Sequence, residues 1–181
     1  VHVYRPADMY EVAEAWRSTV QRSEGPSVLV FTRQSVPTID RSAFAGADGL
    51  RRGAYTLWQS GEGTPDIILI GTGSELYLAL EAGRKLAAED GVVVRVVSLP
   101  CWELFEEQDE KYRESILPNT VRRRVSVEAG LKDGWQKYVG LDGESIGMDR
   151  FGHSAPGKEL FQQFGITSEA VLGAARDLLK K

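Results

Sequence analysis

The sequence contains a single cysteine, Cys101, among its 181 residues. An intrachain disulfide and a cysteine-rich metal cluster are therefore both excluded. Long apolar stretches are also absent: no run approaches the ~20 residues that span a bilayer, and the first residues are not organised as a signal peptide. We therefore expect a cytoplasmic protein that has no membrane partner.

Histidine and excess charge are scarce as well. The formal net charge is −4, and the two histidines, His2 and His153, stand far apart without flanking metal ligands. The basic residues are scattered apart from Arg122-Arg123-Arg124, which we interpret as the edge of a strand with one or two solvated guanidiniums. Neither a metal site nor nucleic-acid binding is expected from this composition.

Short apolar runs alternate with helical patterns along the chain. Strands are predicted at residues 1–4, 27–31, 53–58, 66–70, 92–97, 125–127 and 145–148. Helices are predicted at residues 8–21, 109–116, 157–164 and 168–179, and a further helix follows residues 71–75 and ends at Gly91. This alternation predicts an α/β fold with a mostly parallel, Rossmann-like sheet that helices cover on both faces.

The first part of the chain reads as a strand, a helix and a second strand, which together form a βαβ unit. Asp8 and Glu11 have the spacing of a capping box that begins the helix. The run Ser27–Phe31 is short and continuously apolar, as in a buried parallel strand. The helix is predicted to present one apolar face, formed by Met9, Val12, Ala13, Trp16 and Val20.

Residues 33–53 show no periodicity, and about twenty residues is long for a loop inside a domain. We interpret this stretch as an interdomain linker. Residues 1–45 then end one domain, residues 46–59 form a linker and an edge strand, and residues 60–181 form a second domain. The βαβ unit is expected to be the remnant of a domain whose larger part lies upstream.

The turn Gly71-Thr72-Gly73-Ser74 follows a predicted strand and precedes a predicted helix. Free N–H groups and the helix dipole at such a turn can hold a phosphate. The third glycine of the dinucleotide fingerprint is missing, however, because Leu76 takes its place. Two interpretations stay open: a small-anion site, and a tight turn in which Ser74 or Thr72 caps the helix, which we favour.

Three further side chains stand at positions that suggest chemistry. Arg33 follows a strand at the edge where open α/β sheets bind ligands, and its guanidinium suits a phosphate; a salt bridge at the domain border fits the pattern equally well. Glu128 also ends a strand, where we favour capping or pairing with Arg124 or Lys132. Cys101 has no basic partner nearby in the sequence, so packing is favoured over a role as nucleophile.

An ordered set of motifs runs along nearly the whole chain. The set consists of Tyr4-Arg5-Pro6-Ala7-Asp8, Ala15-Trp16, Gly25-Pro26, Thr32-Arg33-Gln34, Gly71-Thr72-Gly73-Ser74-Glu75, Tyr112 to Pro118, Val127-Glu128-Ala129-Gly130, Tyr138-Val139-Gly140 and Phe151-Gly152-His153-Ser154-Ala155-Pro156. In this order, the set resembles the carboxy-terminal portion of transketolases. Dihydroxyacetone synthase is the nearest competing family, and Tyr112-Arg113-Glu114-Ser115 together with the last motif favours transketolase.

The resemblance implies the ketol transfer of the pentose phosphate pathway and the reductive pentose phosphate cycle, in which a two-carbon unit moves from a ketose phosphate to an aldose phosphate. It implies a homodimer that uses thiamine diphosphate and a divalent cation, magnesium or calcium, both bound upstream of Val1. Arg33 matches the arginine that holds the sugar phosphate. No catalytic residue and no metal ligand is expected in this segment, so the segment alone is expected to be inactive.

The sequence also leaves two other functions open. The chain could be an independent regulatory module that binds a small anion or a nucleotide at Gly71–Ser74. It could also be a dimerisation and stability element. A Rossmann-like fold by itself assigns no ligand, so the fold alone does not decide between these functions.

Overall fold

The computed structural model describes all residues from Val1 to Lys181. Its first unit consists of β1 (His2–Tyr4), α1 (Met9–Gln21) and β2 (Ser27–Leu29). Strands β1 and β2 pair in parallel, which confirms the predicted βαβ unit. The second strand ends two residues before the predicted end at Phe31 because its ladder with β1 stops at Leu29.

The apolar side chains of this first unit lie largely in contact with solvent. Glu11 and Ala15 are the buried residues of α1, which packs this side against residues 47–52. The predicted apolar face of α1 is largely exposed, and the prediction of a buried second strand is wrong, because these faces have no partner within the chain. The exposed side chains are Met9, Trp16, Val20, Val28, Val30 and Phe31.

Five strands form the main sheet: β3 (Tyr55–Gln59), β4 (Ile67–Gly71), β5 (Val94–Ser98), β6 (Arg124–Leu131) and β7 (Glu144–Met148). Their order is β3–β5–β4–β6–β7, with β3 antiparallel to β5 and the other neighbours parallel. The predicted mostly parallel sheet is thereby confirmed, and β3 lies at its edge as predicted.

Helices cover both faces of this sheet. They are α2 (Leu76–Asp90), α3 (Trp102–Glu106), α4 (Glu110–Ile116), α5 (Gln136–Val139), α6 (Gly157–Phe164) and α7 (Ser168–Leu179). Helices α3 and α5 are not predicted from the sequence, because five and four residues are too few to show a period. None of the helices combines the length and the apolar character needed to cross a membrane.

Strand β4 is continuously apolar because both of its faces are buried. Ile67 and Leu69 pack in the cluster that contains α2 and α7, whereas Ile68 and Ile70 pack in the cluster that contains α3, α4 and α5. All four side chains are fully buried, and each contributes roughly 1.5–3 kcal/mol by leaving water. A strand buried on both faces has no polar side to alternate with, so periodicity 2 is absent.

The irregular stretch between the two units is packed rather than free. Apart from a 3-10 helix over Ala47–Arg52, residues 33–53 have no regular structure, as predicted. Ile39 is buried in the same cluster as strand β4, and Leu50 is buried against Tyr4 of strand β1. The stretch therefore contributes apolar contacts to both the βαβ unit and the main sheet.

A buried carboxylate, that of Glu11, joins α1 to the main sheet. Its Oε1 accepts hydrogen bonds from the Tyr55 hydroxyl (2.6 Å) and the Ser98 hydroxyl (2.7 Å), which belong to β3 and β5. Its Oε2 accepts from the Ala7 N–H at 2.7 Å. Only half of the predicted capping box is therefore formed: Asp8 accepts from the Glu11 N–H, but the Glu11 side chain accepts from the N–H of Ala7 rather than from that of Asp8.

Asp8 and Arg41 extend this network to the irregular stretch. Asp8 caps α1 by accepting from the Glu11 N–H at 2.9 Å, and it also accepts two bonds from the Arg41 guanidinium, at 3.0 and 3.1 Å. Arg41 in turn donates to the Tyr55 hydroxyl at 2.9 Å, so a continuous chain of donors ends at the Glu11 carboxylate. We name Asp8, Glu11, Arg41, Tyr55 and Ser98 the junction cluster.

The pKa of Glu11 gives a testable consequence of its burial. Burial raises this pKa above its ordinary value of 4.5, although the bonds from Tyr55 and Ser98 oppose the shift. The folded state therefore keeps its proton to higher pH than the unfolded chain does. We expect the stability advantage of the wild type over Glu11→Gln to fall as pH rises above 4.5, by up to about 1.4 kcal/mol per pH unit, and to level off above the folded pKa.

Denaturant unfolding of both proteins between pH 3 and pH 8 measures this difference. Glu14→Gln is the matched control, because the hydrogen bond from Arg51 lowers the pKa of Glu14 and the sign is reversed. The stability advantage of the wild type over Glu14→Gln should grow as pH rises toward 4.5 and stay constant above pH 4.5. A Glu11→Gln difference that does not change with pH would show that Glu11 is not a desolvated carboxylate.

Candidate functional site

The carboxyl ends of β4 and β6 form the crevice where ligands bind in many open α/β sheets. The chain leaves β4 toward β5 on one side, and β6 lies on the other side, so the direction of the connections reverses between β4 and β6. The turn Gly71–Ser74 follows β4 directly, and Glu128 lies within β6 at the same edge. In this protein, Arg5 occupies that crevice.

The main chain of Arg5 bonds to the ends of two strands. Its N–H donates to the Pro100 carbonyl (2.8 Å), just past β5, and its carbonyl accepts from the Gly73 N–H (2.9 Å), just past β4. Gly71 is required at the base of this turn, because a Cβ there would lie 2.6 Å from the Cα of Leu76. The N–H group of Gly73 that the sequence offers to an anion is thus already used by the chain.

The side chain of Arg5 lies between two carboxylates. Its Nη1 is 3.0 Å from Glu128 Oε1, and its Nη2 is 3.5 Å from Glu75 Oε2. Glu75 also accepts from the Ala129 N–H at 2.9 Å and from the Ser74 hydroxyl. Burial raises the pKa of Glu75, and the neighbouring Glu128 carboxylate raises it further. The guanidinium therefore supplies the positive charge that this acidic crevice requires.

The predicted partners of Glu128 are wrong. Glu128 pairs with Arg5, not with Arg124 or Lys132, and its other oxygen accepts from the Trp135 indole N–H at 2.6 Å. The guanidinium of Arg124 instead donates to four main-chain carbonyls, which it reaches because it is buried between the ends of α4 and α5.

The predicted helix cap at the turn is wrong as well. Neither Thr72 nor Ser74 makes a side-chain cap bond, because a 3-10 turn over Gly73–Glu75 precedes α2 and Ser74 donates to Glu75 instead. With two carboxylates at the edge of the turn, an anionic ligand would meet repulsion rather than a free dipole. The regulatory module with an anion at Gly71–Ser74 is therefore not favoured.

Arg33 stands apart from this crevice. It lies in an exposed turn after β2, which the Thr32 hydroxyl closes by accepting from the Gln34 N–H at 3.0 Å. Its guanidinium makes no hydrogen bond, ion pair or ring contact, a condition shared among the arginines only by Arg84. The neighbouring Gln34 lines an open groove of about 430 Å³ together with Ser74, but Arg33 does not line it. A free guanidinium on a fixed turn is available to a phosphate.

The remaining candidates from the sequence are structural. Burial raises the pKa of the Cys101 thiol to about 12, so a thiolate nucleophile is not available there. His2 is buried and its Nε2 is 2.8 Å from Glu107 Oε1. His153 is exposed, as predicted, and stacks on the Phe164 ring. Sequence reasoning missed the role of Arg5, which it met only as part of the motif Tyr4-Arg5-Pro6-Ala7-Asp8.

Thiamine diphosphate with its cation, which the resemblance implies, does not fit the residues present. No three Asp, Glu, His or Cys side chains are grouped as ligands of a metal ion. The turn after β4, which has the local shape of a phosphate site, presents the carboxylates of Glu75 and Glu128 instead of free donors. The diphosphate and its metal ion have no site among these residues.

Comparisons with known proteins identify the family of this chain. Residues 53–167, more than half of the chain, match the family model described as the transketolase-like TK C-terminal domain. Transketolase 7 of Craterostigma plantagineum is 51% identical over 177 residues, which cover 96% of this chain and 26% of that protein. A transketolase of Aquifex aeolicus is 48% identical over 169 residues, which cover 93% of this chain and 24% of that protein. The chain thus spans about a quarter of the length of these relatives.

Solved structures give the same result for the fold. The transketolase from Leishmania mexicana superposes with a TM-score of 0.88 at 38% identity, over 99% of this chain and 25% of that one. A Pichia stipitis transketolase, described as a complex with sedoheptulose 7-phosphate, superposes with a TM-score of 0.87 at 35% identity over the same share of each chain. By sequence and by structure, the chain belongs to the transketolase family and corresponds to the carboxy-terminal portion of its members.

Proposed function

We propose that the complete protein containing this chain is a ketol transferase of the pentose phosphate pathway and the reductive pentose phosphate cycle. It moves a two-carbon unit from a ketose phosphate to an aldose phosphate. Support comes from relatives that are named transketolase and are about half identical to the chain. In this proposal, residues 1–45 of the chain form the end of the middle domain. Residues 46–59 form a linker and an edge strand, and residues 60–181 form the carboxy-terminal domain.

In this proposal, Arg33 binds the phosphate of the sugar substrate. The observation that carries it is the unpaired guanidinium: Arg33 is exposed, has no partner within the chain and is held on the turn that Thr32 closes. A structural arginine would be expected to have a carboxylate or carbonyl partner, as Arg41 and Arg124 do. Pichia stipitis transketolases described as complexes with xylulose 5-phosphate and sedoheptulose 7-phosphate support the sugar-phosphate class.

The role of this segment is then docking and substrate positioning rather than cofactor chemistry. Thiamine diphosphate and magnesium or calcium bind to the part of the protein that precedes this chain, and the complete protein acts as a cytoplasmic homodimer. The donor set supports this placement, because the crevice at the end of β4 is acidic and contains Arg5. Thiamine diphosphate, when bound, supplies the carbanion chemistry of the transfer.

Isothermal titration of the 181-residue chain with thiamine diphosphate and magnesium tests where the cofactor binds. We expect no heat of binding, because the residues present offer neither a metal-ligand group nor a free phosphate turn. The complete protein under the same conditions is the positive control. Saturable one-to-one binding to the chain alone would contradict the proposed placement.

Replacing Arg33 by alanine in the complete enzyme tests its role. A charge-assisted contact of about 1.5–3 kcal/mol is lost, so KM for a ketose phosphate should rise roughly 10- to 150-fold. KM for the same ketose without phosphate should stay unchanged, because it makes no such contact. Arg84→Ala is the matched control, since Arg84 is also exposed and unpaired but lies on α2. Equal kinetics of Arg33→Ala and wild type would exclude the role.

A further inference from the structure

Arg5 connects the main sheet to the segment that carries Arg33. Its main chain is bonded to Pro100 and Gly73, and its side chain to Glu75 and Glu128, so one residue contacts the ends of β4, β5 and β6. These contacts fix the carboxyl end of β1, which Arg5 directly follows. A residue held on three sides in this way has little freedom to move relative to the sheet.

The end of β1 in turn fixes the end of β2. The Val30 N–H donates to the Tyr4 carbonyl at 2.8 Å, which is the last bond between the two parallel strands. Arg33 stands three residues after Val30, in the turn closed by Thr32. The position of the Arg33 turn is therefore set by β1 and, through Arg5, by the carboxyl ends of the main sheet.

We infer that Arg5 is a positioning residue for the substrate phosphate: by filling the acidic crevice between β4 and β6, it sets the place from which Arg33 reaches the phosphate. This inference rests on the proposed function of Arg33. In other open α/β sheets this crevice binds ligands, whereas here it binds the guanidinium of Arg5. Arg5 in turn sets the position of the phosphate site, because it fixes β1 and, through β1, the end of β2.

The chemistry of the crevice specifies a guanidinium. Separate nitrogens, Nη1 and Nη2, reach Glu128 and Glu75, so the planar fork spans both carboxylates. The single ammonium of a lysine is a point charge and cannot reproduce this geometry. The side chain of Arg5 is 29% exposed, so a free guanidinium ion from solution can enter the crevice when the side chain is removed.

The experiment compares Arg5→Ala, Arg33→Ala and the double variant in the complete enzyme, with and without phosphate on the ketose. Misplacing a positioning group by about 1 Å costs up to about 100-fold, and we expect Arg5→Ala to raise KM for the ketose phosphate about tenfold. The ketose without phosphate should be unaffected. The double variant should be no worse than Arg33→Ala alone, because both changes remove one function.

Two further measurements separate positioning from general damage. Guanidinium chloride at a few millimolar should lower the raised KM of Arg5→Ala, whereas equal sodium chloride should not, and Arg5→Lys should remain impaired. Arg122→Ala is the control, because Arg122 is an exposed arginine paired with Asp142 elsewhere on the domain. If Arg5→Ala does not fold, Glu128→Gln removes the ion pair and keeps an oxygen for the Trp135 N–H.

The outcomes identify which statement fails. If Arg33→Ala leaves KM for the ketose phosphate unchanged, the proposed function of Arg33 is wrong. If Arg33→Ala raises this KM but Arg5→Ala and Glu128→Gln do not, the positioning role of Arg5 is wrong. The positioning role of Arg5 is also wrong if Arg5→Ala raises KM equally for both ketoses, or if the effects of Arg5→Ala and Arg33→Ala add in the double variant. Either result would indicate a general structural effect of Arg5.

Discussion

The buried carboxylate of Glu11 is the contact on which the arrangement of the two units depends. A charged group without water is costly unless its acceptors are filled, and here three donors fill them: the hydroxyls of Tyr55 and Ser98 and the N–H of Ala7. Two of these donors belong to strands of the main sheet. Separation of α1 from the sheet would leave the carboxylate without them, so the network favours one relative position of the two units. Apolar contacts alone would not define that position as narrowly, because they are not directional.

The second connection between the units uses charge of the opposite sign. The crevice at the end of β4 contains two carboxylates, Glu75 and Glu128, and Arg5 of the first unit brings a guanidinium to them. The fold therefore keeps the shape of a ligand-binding α/β sheet while its own chain occupies the crevice. A Rossmann-like turn therefore follows β4, but its Gly73 N–H is bonded to Arg5 and two carboxylates border it. Arg33 stays a free guanidinium near the end of β2, and we propose it as the group that binds the substrate phosphate.

Most of the fold was predictable from the sequence because it follows local signals. Helices α6 and α7 have the predicted bounds, and Asp109 begins α4 by accepting from the Tyr112 N–H. The partners of Arg5 were not predictable, because Glu75 lies 70 residues away and no periodic pattern encodes such a pair. The exposed face of α1 was also missed: periodicity shows that a helix has an apolar side, but not whether a partner for it exists within the chain. The position of Arg33 came from a motif, and the contacts add that its guanidinium is unpaired.

We expect the βαβ unit and the main sheet to open together, because the junction cluster and Arg5 connect them. Native-state hydrogen exchange at increasing denaturant measures this directly. The amides of Arg5, Val12 and Val30 should exchange with the same free energy and the same denaturant slope as the amides of β4, Ile68 and Ile70. Exchange of Arg5, Val12 and Val30 at a clearly lower free energy, while β4 stays protected, would mean that the two units open independently and that these contacts do not couple them.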